Sequence, residues 1–332
     1  MKRAISLAGA AVAALALSAC GSGSLSGGES TESGGAGGAA EGDLTKVAVG
    51  VIPIVDTAPI WLGKEQGFFE DAGLDLDIQT TTGGAAAVPG VVSGDFQFAF
   101  GNTMSVMVAN DKGLDVRYVA NGNSTTGDTS SDFGAVVVPA DSEIQAPADL
   151  AGRTVSVNNL SNIGDTTIRK VVEDDGGDES AIRFVEIPFP DAPAALESGQ
   201  VDAAWIVEPF LTQAVESGAR VISYNFAETD PNLDISGYFT SAEYIEANPE
   251  LVENFTEAMN KSLVYAQENP EAVRDVVGTY TKIDEAMRAK MILPTFRVEF
   301  DRDAAAVLGD AATRYGTLTE APDLDLMLPA QQ

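Results

Sequence analysis

Carboxylates dominate the reactive groups of this chain, and imidazole is missing from it. The 332 residues include 50 Asp and Glu against 19 Lys and Arg, one Cys and no His, for a formal net charge of −31. Without His there is no Ser-His-Asp triad, no His-bearing zinc site and no imidazole general base. A single Cys gives neither a disulfide framework nor a Cys-rich metal cluster. What remains is a set of acids, amides, hydroxyls and glycine-rich helix starts, which suits binding better than catalysis, and no cofactor is expected. A pI near 4.1 also argues against nucleic acid, because phosphates need a basic face.

Several residues stand where a ligand would be met. Glu208 lies between Val207 and Pro209 at the carboxyl end of an apolar run, where open α/β sheets bind ligands. Against a cation it would form a charge-assisted hydrogen bond; it would serve equally as a cap or dipole partner of the helix that follows. Asp56 and Thr57 follow the first strand, and Asp56 could also cap a helix starting at Pro59. Gly83 and Gly84, after three threonines, open a helix whose free N–H groups suit an anionic group, or form only a turn. Asn102 and Thr103 sit at a strand-to-helix passage, and Asn162, with Asp165, repeats the pattern later; both asparagines are also good N-caps. Phe189 and Trp205 could stack on a flat ligand, although Trp205, as a strand residue, also fits a core. The polar stretch Asn121–Asp132 reads as a long loop with hydroxyls toward the site.

The charge of these segments is one-sided. They carry Asp56, Asp128, Asp132, Asp165, Asp191 and Glu208 and no Lys or Arg. Phosphate or sulfate usually recruits arginine or lysine. A neutral or cationic heterocycle, or a zwitterion with its anion on a helix end, therefore fits better than nitrate.

The elements that must hold these residues alternate. Strands are predicted at 46–52, 74–79, 95–100, 115–120, 133–138, 153–157, 182–187, 201–207 and 220–223. Helices are predicted between them, including 59–70, 163–174 and 209–217. Such alternation predicts α/β architecture, with parallel sheets and helices on both faces. After Tyr244 only helices are predicted, at 249–268, 270–280, 284–293 and 302–315. Two α/β blocks meet near residues 139–150, which predicts two lobes with a cleft between the carboxyl ends of their strands.

The first twenty residues read as a leader. Lys2 and Arg3 precede an apolar run over Ala4–Leu17, too short to span a bilayer as a helix, that closes on Leu17-Ser18-Ala19-Cys20. This resembles a bacterial lipobox, in which the cysteine carries the lipid. Residues 21–42, almost all Gly, Ser, Ala, Thr and Glu, predict a flexible tether of roughly 25 Å reach. Loss of residues 1–19 would take the charge to −33.

Four strings together resemble one family. They are Val49–Pro53 with Pro59–Ile78, Gly83-Gly84 with Val91–Asn102, Ala148–Val155, and Ala194–Trp205 leading to Glu208-Pro209. In this order they resemble the ABC-transporter solute-binding proteins for nitrate, sulfonates, taurine and thiamine-type pyrimidines, over about Lys46 to Ile245. The resemblance implies the two-lobed periplasmic-binding-protein fold of type II, with a helical C-terminal tail. It implies lobes at 44–140 plus 238–332 and at 141–237, after a signal peptide at 1–19 and a lipidated tether at 20–43. It also implies a small-molecule ligand in the cleft, met by Asp56, Thr57, Gly83, Gly84, Asn102, Thr103, Asn162, Phe189, Trp205 and Glu208. An acid before this proline is expected to meet an amine or a basic ring nitrogen. The partners implied are an ABC permease and its ATPase, with the membrane touched only through Cys20, on the outer face, by a monomer that catalyses nothing. Two other readings remain: a surface sensor or adhesion protein on the same fold, and a pyrimidine-synthase-like enzyme, which the absence of histidine opposes.

Overall fold

The first β-strand, β1 (Thr45–Val51), is buried on both faces from Val49 onward, as a central strand flanked by two others must be. The computed structural model describes residues 44–330; the expected leader, Cys20 and the tether lie outside the described residues. Along its whole length β1 pairs in parallel with β2 (Leu74–Thr80), from Thr45 opposite Leu74 to Val51 opposite Thr80. In β2, Leu74 and Leu76 turn inward while the acids between and after them are more open, the half-buried alternation expected of an edge. Strand β3 (Phe98–Asn102) pairs with the other side of β1. The helix predicted over 59–70 is instead two pieces, α1 (Ala58–Glu65) and a short turn at Phe68–Asp71. They are separated by Gly67, whose φ of 77° is left-handed and ends the first piece.

The two sheets are built alike. The first runs β2-β1-β3-β10-β4, with β4 at Val116–Ser124 and β10 at Asp234–Ser241. The second runs β7-β6-β8-β5-β9, made from β5 (Gly134–Val138), β6 (Thr154–Val157), β7 (Arg183–Glu186), β8 (Ala203–Val207) and β9 (Arg220–Ser223). The expectation of purely parallel sheets is corrected in each. Strand β10 is antiparallel to β3 and β4, and β5 is antiparallel to β8 and β9. The reason is the path of the chain: each reversed strand is the first one laid down after the chain enters from the other sheet. Strand β5 thus lies in the second sheet ahead of residue 140, and β10 joins the first from Asp234.

The two passages between sheets cover residues 125–133 and 224–233. They are joined by the Thr125 N–H donating to Leu233 O at 2.9 Å. The polar stretch expected as a loop from Asn121 is strand as far as Ser124. Its polar side chains find buried partners there, which removes the usual penalty for Asn and Ser in a sheet. Asp234 is the hub. Its carboxylate accepts from Asn121 Nδ2 (3.2 Å), Ser124 Oγ (2.6 Å), Arg297 Nε (2.9 Å) and the Asp301 N–H (2.5 Å).

Two long helices of the tail follow prediction, α7 (Pro249–Glu268) and α8 (Pro270–Tyr280), while only Glu285–Arg288 of the predicted 284–293 helix forms. Here α7 carries Phe255, stacked on Phe98 at 3.8 Å, so the tail seals one face of the first sheet. At Gly63 of α1 a Cβ would stand 1.9 Å from Ser262 Oγ of α7, which sets how closely these helices approach.

Removing the hub would strip Arg297 and three other donors of their shared acceptor. Asp234→Ala is expected to lower unfolding stability by about 3–5 kcal/mol in urea titration, the range for breaking a buried pair by deleting one partner.

Candidate functional site

The carboxyl ends of β1 and β3 face those of β6 and β8 across a narrow cavity of about 20 Å³. From the first half come Ile52, Ile54, Asp56, Phe100 and Asn102, with Ile235 and Ser236 from β10. The second half supplies Asn158, Ile163, Val207 and three aromatic rings, Phe189, Trp205 and Phe226. Trp205 is the centre of that wall, edge-on to Phe189 at 5.2 Å and to Phe226 at 5.5 Å. None of the lining residues is Lys or Arg.

The loop that carries Asp56 is pinned from three sides. Tyr280 OH donates to Ile54 O (3.0 Å), the Val55 N–H donates to Glu208 O across the halves (3.0 Å), and Thr57 Oγ1 donates to Ile52 O (2.8 Å). So held, Asp56 is 2% exposed, and its Oδ1 accepts from Asn123 Nδ2 at 3.0 Å while its Oδ2 has no protein partner. Trp205 Nε1 and Asn158 Oδ1 are likewise buried without a partner. Buried polar groups are nearly always paired, so three unmatched atoms around one cavity are a concentration of unspent hydrogen-bonding capacity. One is a carboxylate acceptor, one an amide acceptor and one an indole donor.

Of the residues singled out from the sequence, Asp56, Asn102, Phe189 and Trp205 meet at this cavity. The others stand around it. Thr57 is spent on Ile52 and Ile54, and Thr103 Oγ1 donates to Asp234 O at 2.8 Å, so both hydroxyls are internal fasteners. Asn102 Oδ1 caps its helix, α3 (Thr103–Asp111), by accepting from the Ser105 N–H at 2.9 Å. Asn162 caps α4 (Ile163–Asp174) and reaches across the halves, its Nδ2 donating to Ser105 Oγ at 3.2 Å. Gly84 opens α2 (Gly84–Ser93), packed so closely on Gly101 and Ser105 that no Cβ would fit, with Gly83 immediately before it.

Glu208 is not among the residues that line the cavity. Its Oε2 accepts from the Thr212 N–H (3.0 Å), and its Oε1 from Thr212 Oγ1 (2.7 Å) and the Ile292 N–H (3.1 Å). The helix-start role weighed for it is the one its side chain takes here. Sequence reading missed Phe100, Phe226, Asn158 and Asn123. Phe100 and Asn158 stand at strand ends where a signal existed; Phe226 lies in the second passage between the sheets, and Asn123 in the polar end of β4 that reads as a loop.

A family model described as NMT1/THI5 like matches residues 54–273. The chain is 27% identical over 233 residues to the formylaminopyrimidine-binding protein of Halalkalibacterium halodurans, covering 68% of this chain and 67% of that one. It is 23% identical over 234 residues to a putative aliphatic sulfonates-binding protein of Bacillus subtilis, covering 69% and 68%. Among solved structures, the alkanesulfonate-binding protein SsuA from Xanthomonas axonopodis pv. citri bound to MOPS superposes with a TM-score of 0.73 at 17% identity, over 88% of this chain and 99% of that one. These proteins share the two-lobed fold.

Burial sets the acid chemistry of the site. It pushes Asp56 up from 3.8 to about 7, with Asp132 adding to the rise and the Asp56 backbone and Asn123 amide opposing it. An acid whose folded value is raised holds its proton longer folded than unfolded. Its contribution to stability is therefore complete below pH 4 and is lost as pH climbs through 7. At about 1.4 kcal/mol per unit, this one group costs up to about 4 kcal/mol by pH 8. Asp56→Asn is expected to match the parent at pH 4 and to exceed it by ~2–4 kcal/mol at pH 8 in paired urea titrations. A difference that does not vary with pH would assign Asp56 an ordinary acidity.

Proposed function

The chain belongs to the NMT1/THI5-like family, and from that membership we propose that it is the lipid-anchored binding component of an ABC importer for a small, flat, nitrogen-bearing heterocycle. It is a solute-binding protein, not an enzyme. The observation that carries the choice of ligand is the unpartnered Asp56 Oδ2 in an aromatic-walled cavity without a basic side chain. An amino group or protonated ring nitrogen would satisfy that oxygen with a charge-assisted bond. The edge of Trp205 and the faces of Phe189 and Phe226 would supply apolar area for a planar ring. Asn158 Oδ1 and Trp205 Nε1 would take a second donor and an acceptor. An aminopyrimidine answers all three atoms, and a relative whose name refers to a formylaminopyrimidine supports the same class. Taurine and alkanesulfonates offer a flat ring nothing, and their sulfonate would face an acid.

In this reading Asp56, Asn102, Phe189 and Trp205 touch the ligand. Thr57, Gly83, Gly84, Thr103, Asn162 and Glu208 hold the surfaces that do. The family resemblance and the Leu17–Cys20 string support a lipid on Cys20, which would keep a monomer at the outer face of the membrane beside its permease and ATPase. One acyl chain binds only reversibly, so a multiply acylated cysteine is the form that would last.

Thermal shift of the purified protein with a 4-aminopyrimidine bearing a one-carbon substituent, taurine, methanesulfonate and nitrate tests the ligand class. The aminopyrimidine alone is expected to raise the melting temperature, since a ligand at a hundred times its Kd adds about 2.7 kcal/mol. By calorimetry Asp56→Asn should weaken that ligand by ~1.5–3 kcal/mol, the worth of a hydrogen bond to a charged group. A shift with taurine or methanesulfonate instead would overturn the heterocycle, and undiminished affinity in the Asp56 variant would remove that residue from the contact. Separately, Cys20→Ser is expected to move the protein from the membrane to the soluble fraction of its host.

A further inference from the structure

We propose that Gly83 is the residue that permits the two halves to meet with Asn159 in place, because a side chain there would have to displace the Asn159 side chain from the seam. The inference rests on the reading that a ligand is held between the halves, and it adds a residue that governs how they shut.

Backbone conformation does not require this glycine. Its φ of 172° and ψ of 164° are extended, a region open to every residue. Packing within its own half does not require it either. A Cβ at Gly83 would stand 2.0 Å from Asn159 Oδ1, 2.8 Å from its Cγ and 3.1 Å from its Nδ2. The three nearest atoms all belong to one side chain, and that side chain lies on the other half, between β6 and α4. The neighbouring glycine makes the contrast. A Cβ at Gly84 would meet the Gly101 Cα at 2.6 Å and Ser105 Oγ at 2.8 Å, both within the first half. Gly84 serves the fold, therefore, and Gly83 serves the seam.

Asn159 carries the second half of the argument. It is 6% exposed, and its Oδ1 has no hydrogen-bond partner. A buried amide oxygen left unpaired is costly, and the cost disappears if the halves part and water reaches it. The pair formed by Ser105 Oγ and Asn162 Nδ2, 3.2 Å apart, crosses the same seam, so one polar contact, one unpaired oxygen and one missing side chain mark a face that is made and unmade. A side chain at position 83 would then act on the closed state alone. Apparent affinity falls by the fraction of closed molecules lost, while each half keeps its own packing.

The test reads closure without any ligand. In full-length protein carrying Cys20→Ser, the pair Ser105→Cys and Asn162→Cys should form a disulfide under mild oxidation, because the halves bring these positions together. Adding Gly83→Val should slow that cross-linking by about tenfold or more. Adding Asn159→Gly to the Gly83→Val chain should restore it, since the colliding side chain is gone. Equal rates with and without Gly83→Val would overturn the proposal, and so would a defect that Asn159→Gly does not relieve. Failure of the pair to cross-link with Gly83 in place would show that the halves do not meet here, which overturns it as well. The melting temperature of each half-site variant reports whether the fold survives. Affinity for the aminopyrimidine is measured separately on chains with Ser105 and Asn162 intact. If the unaltered protein binds no aminopyrimidine, the ligand class fails, while the cross-linking rates still decide the role of Gly83.

Discussion

Everything in this molecule follows from a chain that passes twice between two sheets. Each passage delivers one reversed strand, β10 to the first sheet and β5 to the second, and locks it between parallel neighbours. No strand is shared, so only residues 125–133 and 224–233 connect the sheets directly in sequence. The parallel strands on both sides end at the same gap, where loops and helix starts can reach a common point. Asp234 makes the arrangement stiff where it needs to be, gathering β4, β10 and the tail segment around Arg297 beside the passages. A hinge of this kind concentrates freedom in a few residues while leaving two packed bodies intact.

Polar mismatch gathers between the two halves. Among the buried side-chain atoms without a protein partner are Asp56 Oδ2, Asn158 Oδ1, Asn159 Oδ1 and Trp205 Nε1. Their positions separate two roles. The first, second and fourth belong to residues that line the cavity, whereas Asn159 Oδ1 lies 2.0 Å from where a Cβ at Gly83 would stand. Burial that raises the pKa of Asp56 also makes its charge conditional, so a cationic guest would bring out the charge that receives it.

Most of the architecture was legible because its signals were local. Alternating strands and helices, proline at helix starts and the apolar faces of 249–268 and 270–280 are written in neighbouring residues. The reversal of β5 and β10 was not, since strand direction depends on where the chain comes from and not on its composition. Asn121–Ser124 misled for a related reason: four polar residues read as a loop until Asp234, more than a hundred positions away, supplies the partner that lets two of them lie in a sheet. Strand ends led from the sequence to Asp56, Asn102 and Trp205, which line the cavity. Phe226 was out of reach because it arrives through the second passage, and Asn123 because it sits in the polar end of β4 that reads as a loop.

Glu208 and Asp56 show where residue type stops being informative. Both are buried acids near strand ends on opposite sides of one gap, and burial raises both to about 7. Glu208 has one more methylene and a helix immediately after it, so its carboxylate folds back onto Thr212 and collects Ile292 from the tail. Its backbone oxygen meanwhile receives the Val55 N–H beside Asp56. The result is a chain of contacts from the tail through Glu208 to the loop that presents the unpaired oxygen. An acid whose oxygens already hold three donors has little capacity left for a guest; one with an unpartnered oxygen on a residue lining a cavity has more. The distinction between support and contact therefore lies in the hydrogen-bond count of each carboxylate, which no one-dimensional pattern records.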